Sequence, residues 1–127
     1  MRIIGHGIDA VKIADIKDEV DSTNKRWTEQ FCSADERAHA GTTSARYRYY
    51  ASCFAGKEAV SKALGTGFAG DITWRGIEIL RRESGAPYVR LSGEVLELAS
   101  SMGIIDWFIS ISYLDEVAMA SVIAVGD

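Results

Sequence analysis

Hydrophobic and polar positions follow two different periods along this chain, and the change of period divides it into elements. Ile3–Ile8 is apolar with interspersed glycines, the pattern of a buried strand that another backbone approaches closely. Asp9 stands at the end of that strand, before Val11, Ile13, Ile16 and Val20; the last three are spaced i, i+3, i+7 and predict a helix. Asp21–Asn24 is a turn-rich interruption. Ser33 and Glu36 have capping-box spacing and predict a short helix toward Ala40. After the break at Gly41–Ser44 a longer helix runs toward Leu64, with Ser44 or a neighbouring threonine as its expected cap. Its small stripe, Ala51, Ala55, Ala59 and Ala63, suits close packing.

Beyond Gly65–Gly70 the period shortens to two. Ile77–Arg81 alternates, and Tyr88–Leu91 is a short strand after the turn at Glu83–Pro87. Glu94–Met102 reads as a helix with Val95, Leu98, Ala99 and Met102 on one side. Trp107–Tyr113 alternates, with Trp107, Ile109, Ile111 and Tyr113 facing one way, and Ala118–Val125 is a final strand after a hairpin turn at Leu114–Glu116. No internal repeat, low-complexity tract or linker interrupts residues 1–127. The expectation is a single α+β domain with helices packed on a largely antiparallel sheet.

Composition narrows the class. With 127 residues, 47% hydrophobic and 25% charged, the chain is an ordinary globular domain. A domain of this size buries a core yet gains from oligomerisation. A net charge of −4 argues against a nucleic-acid partner. No apolar run approaches a membrane span, and MRIIGHGID has too short an apolar stretch for a signal peptide. Cys32 and Cys53 match no metal spacing and fit a reduced, cytoplasmic protein.

The candidate chemistry concentrates in Phe54–Gly67, FAGKEAVSKALGTG. Glu58 and Lys62 are four residues apart and share a helix face. A carboxylate there can hold a hard cation such as Mg2+, and a lysine meets phosphate as a point charge. The same run resembles the FAAKEAxSKALGTG signature of holo-acyl-carrier-protein synthases, the small-subunit class of 4'-phosphopantetheinyl transferases. Gly5–Asp9, GHGID, is similar to that family's GIGxD motif, Ser84–Gly93 to its NGKPxVxLSG, and Ile109–Val122 to its SISH…AxAxV ending. The resemblance spans the whole chain, in order.

The resemblance implies transfer of the phosphopantetheine arm of coenzyme A to a serine of an apo acyl carrier protein, with release of 3',5'-ADP. It implies a homotrimer with active sites between subunits, and a role in fatty-acid or related lipid and polyketide synthesis. Asp9 and Glu58 match the two Mg2+ carboxylates, with Glu58 accepting the serine proton directly or through a water. Lys62 matches the lysine on the phosphates, and Gly65, Thr66 and Gly67 the loop that touches them. Pro87 matches the proline near the adenine, Arg46 falls where basic residues meet the 3'-phosphate, and Tyr113 stands where the family has a histidine near coenzyme A.

Each assignment has a plainer competitor. Asp9 would cap a helix. Glu58 and Lys62 would form an exposed ion pair worth roughly 0.3–0.5 kcal/mol. Gly65-Thr66-Gly67 would be a C-cap and turn, Pro87 a turn residue, and Arg46 a solvated arginine. His6 and His39 read as structural or surface histidines, Lys57 as a neighbour in the ion-pair pattern, and Arg81, Arg82 and Arg90 as surface charge.

Departures from the family pattern point the other way. Lys12 and Asp15 stand where a glutamate and a carrier-gripping arginine are usual, so Asp15 would repel an acidic partner. Lys17, Lys25 and Arg26 lie nearby. Cys53 replaces an arginine, Gly56 an alanine and Tyr113 the histidine, removing two potential positive charges. Glycine within a helix costs about 0.5–1 kcal/mol. The first expectation is a Mg2+-dependent transferase. A non-catalytic trimeric paralogue that binds coenzyme A or a carrier protein is the alternative, and a different Mg2+-dependent nucleotide enzyme is the third.

Overall fold

The computed structural model describes residues 1–65 and 74–127. Strand β1 (Arg2–Lys12) leads into α1 (Ile13–Ser22), followed by the short helices α2 (Arg26–Phe31) and α3 (Ala34–Ala40) and the long helix α4 (Arg46–Leu64). A single 3-10 turn, Trp74–Gly76, precedes β2 (Ile77–Arg81) and β3 (Pro87–Leu91); α5 (Gly93–Ser101), β4 (Asp106–Tyr113) and β5 (Val117–Gly126) complete the chain.

β1, β5 and β4 form an antiparallel three-stranded sheet in that order, and β2 pairs with β3 in a separate antiparallel hairpin. The expected α+β architecture is present, with its antiparallel pairing divided between two sheets. Helix α4 lies across the larger sheet. Its stripe Ala51, Ala55, Ala59 and Ala63 is buried, and Ala59 joins Val60, Ile77, Ile79, Val122 and Ala124 in the main core. A second cluster holds α1 and α2 against the N-terminal half of α4 through Ile16, Phe31, Cys32, Tyr50 and Ala51. Phe31 is its hub, with ring centroids 4.6 Å from Trp27, 5.3 Å from Phe54 and 4.4 Å from Trp74.

Three local expectations are corrected. β1 continues through Asp9 to Lys12, so Val11 is a strand residue and Lys12, not Asp9, is the N-cap of α1. The strand wins because Ile8–Lys12 pairs residue by residue with Val117–Ser121. Helix α2 follows the DSTN interruption, entered through left-handed Asn24 and Lys25. Ala45 is the N-cap of α4, without a side-chain cap from Ser44. The Ser33–Glu36 capping box forms as its spacing predicts.

Candidate active site

The site begins with an alternation. Gly5, Gly7 and Asp9 are two residues apart along β1 and therefore share the face turned to α4. A Cβ on Gly5 would run into the carbonyl oxygen of Ala63, and one on Gly7 into that of Ala59. Glycine thus lets helix backbone rest on strand backbone. The pairs 5/63 and 7/59 run in opposite order, so α4 runs antiparallel to β1, with its last turn beside Gly5 and its preceding turn beside Gly7, and Asp9 further toward the helix middle.

Lys62 projects from α4 and donates to Asp9 Oδ1 at 3.0 Å and to the carbonyl oxygen of Ile8 at 2.9 Å. The Asp9 side chain is 17% exposed and that of Lys62 52%, so the pair lies at the edge of solvent. Burial raises the Glu58 carboxyl above the ordinary glutamate range; the charge of Asp9 pushes the same way and that of Lys62 opposes it. The three residues singled out for chemistry therefore share one electrostatic site. Two carboxylates in each other's field are a donor set suited to Mg2+, which takes one or two carboxylates and completes its shell with phosphate oxygens and water. Among the described residues no group of three or more metal-ligating side chains gathers.

Gly65 caps α4 in the left-handed region (φ 78°), its N–H donating to the carbonyls of Ser61 and Lys62. Thr66 and Gly67 lie outside the described residues. Tyr113, at the end of β4, lies under the Arg48 guanidinium, 4.8 Å from ring centroid to Cζ. The two residues border an open cleft of about 410 Å³ with His39, Ser52, Arg81 and Arg82. Pro87 opens β3 and lines a neighbouring cleft that also includes Arg82. Arg46 turns elsewhere. It donates to Tyr47 Oη at 2.7 Å and to the carbonyls of Thr42 and Thr43, and borders a different cleft with Asp21, Lys25 and Arg37.

The sequence reading missed two features. Arg48, one turn along α4 from Ser52, supplies a cation at Tyr113; the alternation Arg46-Tyr47-Arg48-Tyr49 was its only signal. Lys57 is fully buried against Glu36, not a bystander. Its signal was a lysine among small residues, Ala55, Gly56 and Ala59. Two other positions are also core residues. Cys53 is buried with its Sγ 3.7 Å from the Ile79 carbonyl, and a Cβ on Gly56 would come within 2.8 Å of Ile79 Cγ1. Arg90 is more than surface charge: it pairs with Glu78 at 2.8 Å and Asp35 at 2.6 Å.

Comparison with known proteins gives the site its relatives. The family model described as 4'-phosphopantetheinyl transferase superfamily matches residues 5–120. A holo-[acyl-carrier-protein] synthase of Maridesulfovibrio salexigens is 40% identical over 121 residues, 95% of this chain and 97% of that protein. One from Desulforudis audaxviator is 38% identical over 124 residues, covering 98% and 94%. Among solved structures, the holo-[acyl-carrier-protein] synthase of Neisseria meningitidis superposes with a TM-score of 0.88 at 26% identity, covering 97% of this chain and 98% of that one. The Helicobacter pylori synthase, in complex with coenzyme A, gives 0.83 at 31% identity, covering 94% and 99%. This chain belongs to the holo-acyl-carrier-protein synthase family, enzymes of the 4'-phosphopantetheinyl transferase superfamily.

Proposed function

We propose that this protein transfers the 4'-phosphopantetheine group of coenzyme A to a serine of an apo acyl carrier protein, releasing 3',5'-ADP. The observation that carries this reading is the meeting of Asp9, Glu58 and Lys62 where β1 crosses α4. The serine oxygen forms a bond to the β-phosphorus, the bond to 3',5'-ADP breaks, and the hydroxyl proton passes to Glu58. Lys62, half exposed and seated on Asp9, would offer its ammonium to the phosphates and meet the charge that develops on their oxygens. Asp9 and Glu58 would hold Mg2+, which would neutralise phosphate charge and orient the diphosphate.

The binding surface follows from the clefts. Arg48, with Arg81 and Arg82 beside Tyr113, is the strongest candidate for the 3'-phosphate and offsets the charges absent at Cys53 and Tyr113. Pro87, in the neighbouring cleft, is the candidate for the adenine, and Gly65 at the C-cap of α4, with Thr66 and Gly67 that follow it in sequence, for the diphosphate. Arg46, in its separate cleft, is the more distant candidate.

A homotrimer fits the outward face of the three-stranded sheet, which exposes Ile8, Phe108 and Met119 by 60%, 50% and 39%. Light scattering of the purified protein reads the assembly. A place in cytoplasmic fatty-acid or related synthesis follows from the proposed carrier substrate; among the described residues no helix is long and apolar enough to cross a membrane.

Intact-mass spectrometry of apo acyl carrier protein after incubation with this protein, coenzyme A and Mg2+ is the test. A gain of one phosphopantetheine group, absent with EDTA and restored by Mg2+ or Mn2+, is the expected result. Coenzyme A binding without any gain on several carriers would favour the non-catalytic paralogue.

A further inference from the structure

Next to Glu58 in sequence, Lys57 makes the most complete buried ionic contact in the described structure. Its ammonium is 0% exposed and donates to Glu36 Oε1 at 2.8 Å, to the carbonyl of Trp74 at 2.8 Å and to the carbonyl of Ile77. All three donors of the ammonium are used. Glu36 is equally committed. Its Oε1 also accepts the N–H of Ser33 at 3.0 Å, closing the capping box of α3, and its Oε2 accepts the N–H of Ile79 at 3.0 Å. The Ser33 hydroxyl passes the network on to Glu78 Oε2 at 2.6 Å, where Arg90 is seated. One point therefore ties α4 to α3, to the 3-10 turn and to β2.

The opposite side of α4 is held differently. Successive helical residues are about 100° apart, so Ala59 lies nearly across the helix from Lys57, and Ala59 is the residue seated on Gly7 of β1. Glu58 lies between these two grips. A helix held only on the β1 side could rotate about its axis and swing Glu58 away from Asp9; Lys57 opposes that rotation with an ionic anchor on the β2 side, beside the Tyr49 hydroxyl that donates to the Ile79 carbonyl at 2.7 Å and Gly56 packed against Ile79. An ion pair buried this deeply adds little net stability compared with apolar side chains of the same volume, and its best-attested use is fixing one arrangement among several.

We propose that Lys57 and Glu36 are positioning residues for the transferase reaction: together they set the rotation of α4 and so aim Glu58 at Asp9. This inference rests on the reading of Asp9 and Glu58 as the metal carboxylates.

The probe is Mn2+ with coenzyme A, and free Mn2+ is read by electron paramagnetic resonance on the full-length protein. Glu36→Gln and Lys57→Met should each weaken Mn2+ binding about tenfold and lower kcat, with KM for coenzyme A within twofold of wild type. The apolar pair Glu36→Leu/Lys57→Met keeps the experiment readable if the single variants fail to fold. It should melt near wild type yet keep the Mn2+ and kcat defects. Wild-type Mn2+ affinity and kcat in that folded pair would overturn the inference, because packing alone would then suffice. Failure of the wild-type protein both to bind Mn2+ and to transfer would instead overturn the function reading, and this inference with it.

Discussion

Lys62 Nζ lies 3.0 Å from Asp9 Oδ1, a residue 53 positions earlier in the chain. Among the described residues it forms no ion pair with Glu58, one helical turn away. The simple i,i+4 pair expected from spacing is thus replaced by a tertiary contact that ties the helix to the strand. Lys62 still acts on Glu58 through space, lowering a carboxyl that burial and Asp9 raise. Replacing Lys62 by Met should cut kcat for transfer on the order of 10²–10³-fold, the usual cost of one transition-state donor. Mn2+ affinity should stay equal or rise, because a cation beside the carboxylates has gone. Protonation displaces metal as pH falls through the raised Glu58 value, so the acid limb of Mn2+ binding should move to higher pH in this variant. Titrations of Mn2+ against pH, with single-turnover transfer, check all three.

Gly7 and Gly56 predict opposite kinds of rescue. A methyl at Gly7 meets the Ala59 carbonyl oxygen, which no side-chain rotation relieves. Gly7→Ala should destabilise by about 1–3 kcal/mol and abolish transfer by lifting α4 from β1. A methyl at Gly56 meets Ile79 Cγ1 at 2.8 Å and Cδ1 at 2.9 Å, the end of a side chain. Gly56→Ala should therefore destabilise despite its helix-propensity gain of about 0.5–1 kcal/mol. The double variant Gly56→Ala/Ile79→Ala should be more stable than the sum of the single effects predicts. Urea melts of the four proteins in that cycle measure the coupling.

Arg48→Ala tests the nucleotide cleft. KM for coenzyme A should rise about tenfold or more, the loss of one charge-assisted contact of about 1.5–3 kcal/mol. KM for dephospho-coenzyme A, which lacks the 3'-phosphate, should not change. Equal losses with both donors would place Arg48 outside phosphate recognition. Arg46→Ala is the matched comparison, since that guanidinium borders a different cleft.

The pairing of Glu78 gives a stability prediction with a definite sign. Burial alone would raise its carboxyl, but hydrogen bonds from Arg90 and Ser33 outweigh it, and the group sits below the ordinary glutamate value. A carboxyl depressed in the folded state stabilises above its unfolded pKa, and that contribution is lost as pH falls through the folded value. Glu78→Gln should therefore be less stable than wild type near pH 7, by about 1–3 kcal/mol. The difference should shrink below pH 4.5 and vanish once wild-type Glu78 is protonated. Thermal melts at several pH values supply the comparison.

Much of this architecture was legible because local chemistry and tertiary structure agree. The Ser33–Glu36 box, the alanine stripe of α4 and the alternation of Trp107–Tyr113 each appear as their spacing predicts. Asp9, Glu58 and Lys62 were singled out through the GHGID and FAGKEAVSKALGTG runs, and the fold brings Lys62 onto Asp9 with Glu58 in the same field. Elsewhere, tertiary pairing overrode the local signal. Asp9 reads as a helix cap until β5 extends β1 through it, and α2 forms where Phe31 packs on Phe54 and Trp74. Lys57 was opaque for a simpler reason: its partner Glu36 lies 21 residues away and already had a complete role as a capping residue.

The backbone-on-backbone seat at Gly5 and Gly7 has a consequence for how this sequence can drift. In most cores the separation of two elements is the summed girth of the side chains between them, so each conservative replacement shifts it slightly. Here the spacing between strand and helix is set by peptide atoms that every sequence carries. Exchanges among isoleucines, valines and alanines elsewhere in the interior should leave the strand–helix distance at Gly5 and Gly7 unchanged. Two residues with no side chain thus make the strand–helix distance beside the proposed site independent of the girth of the side chains around it.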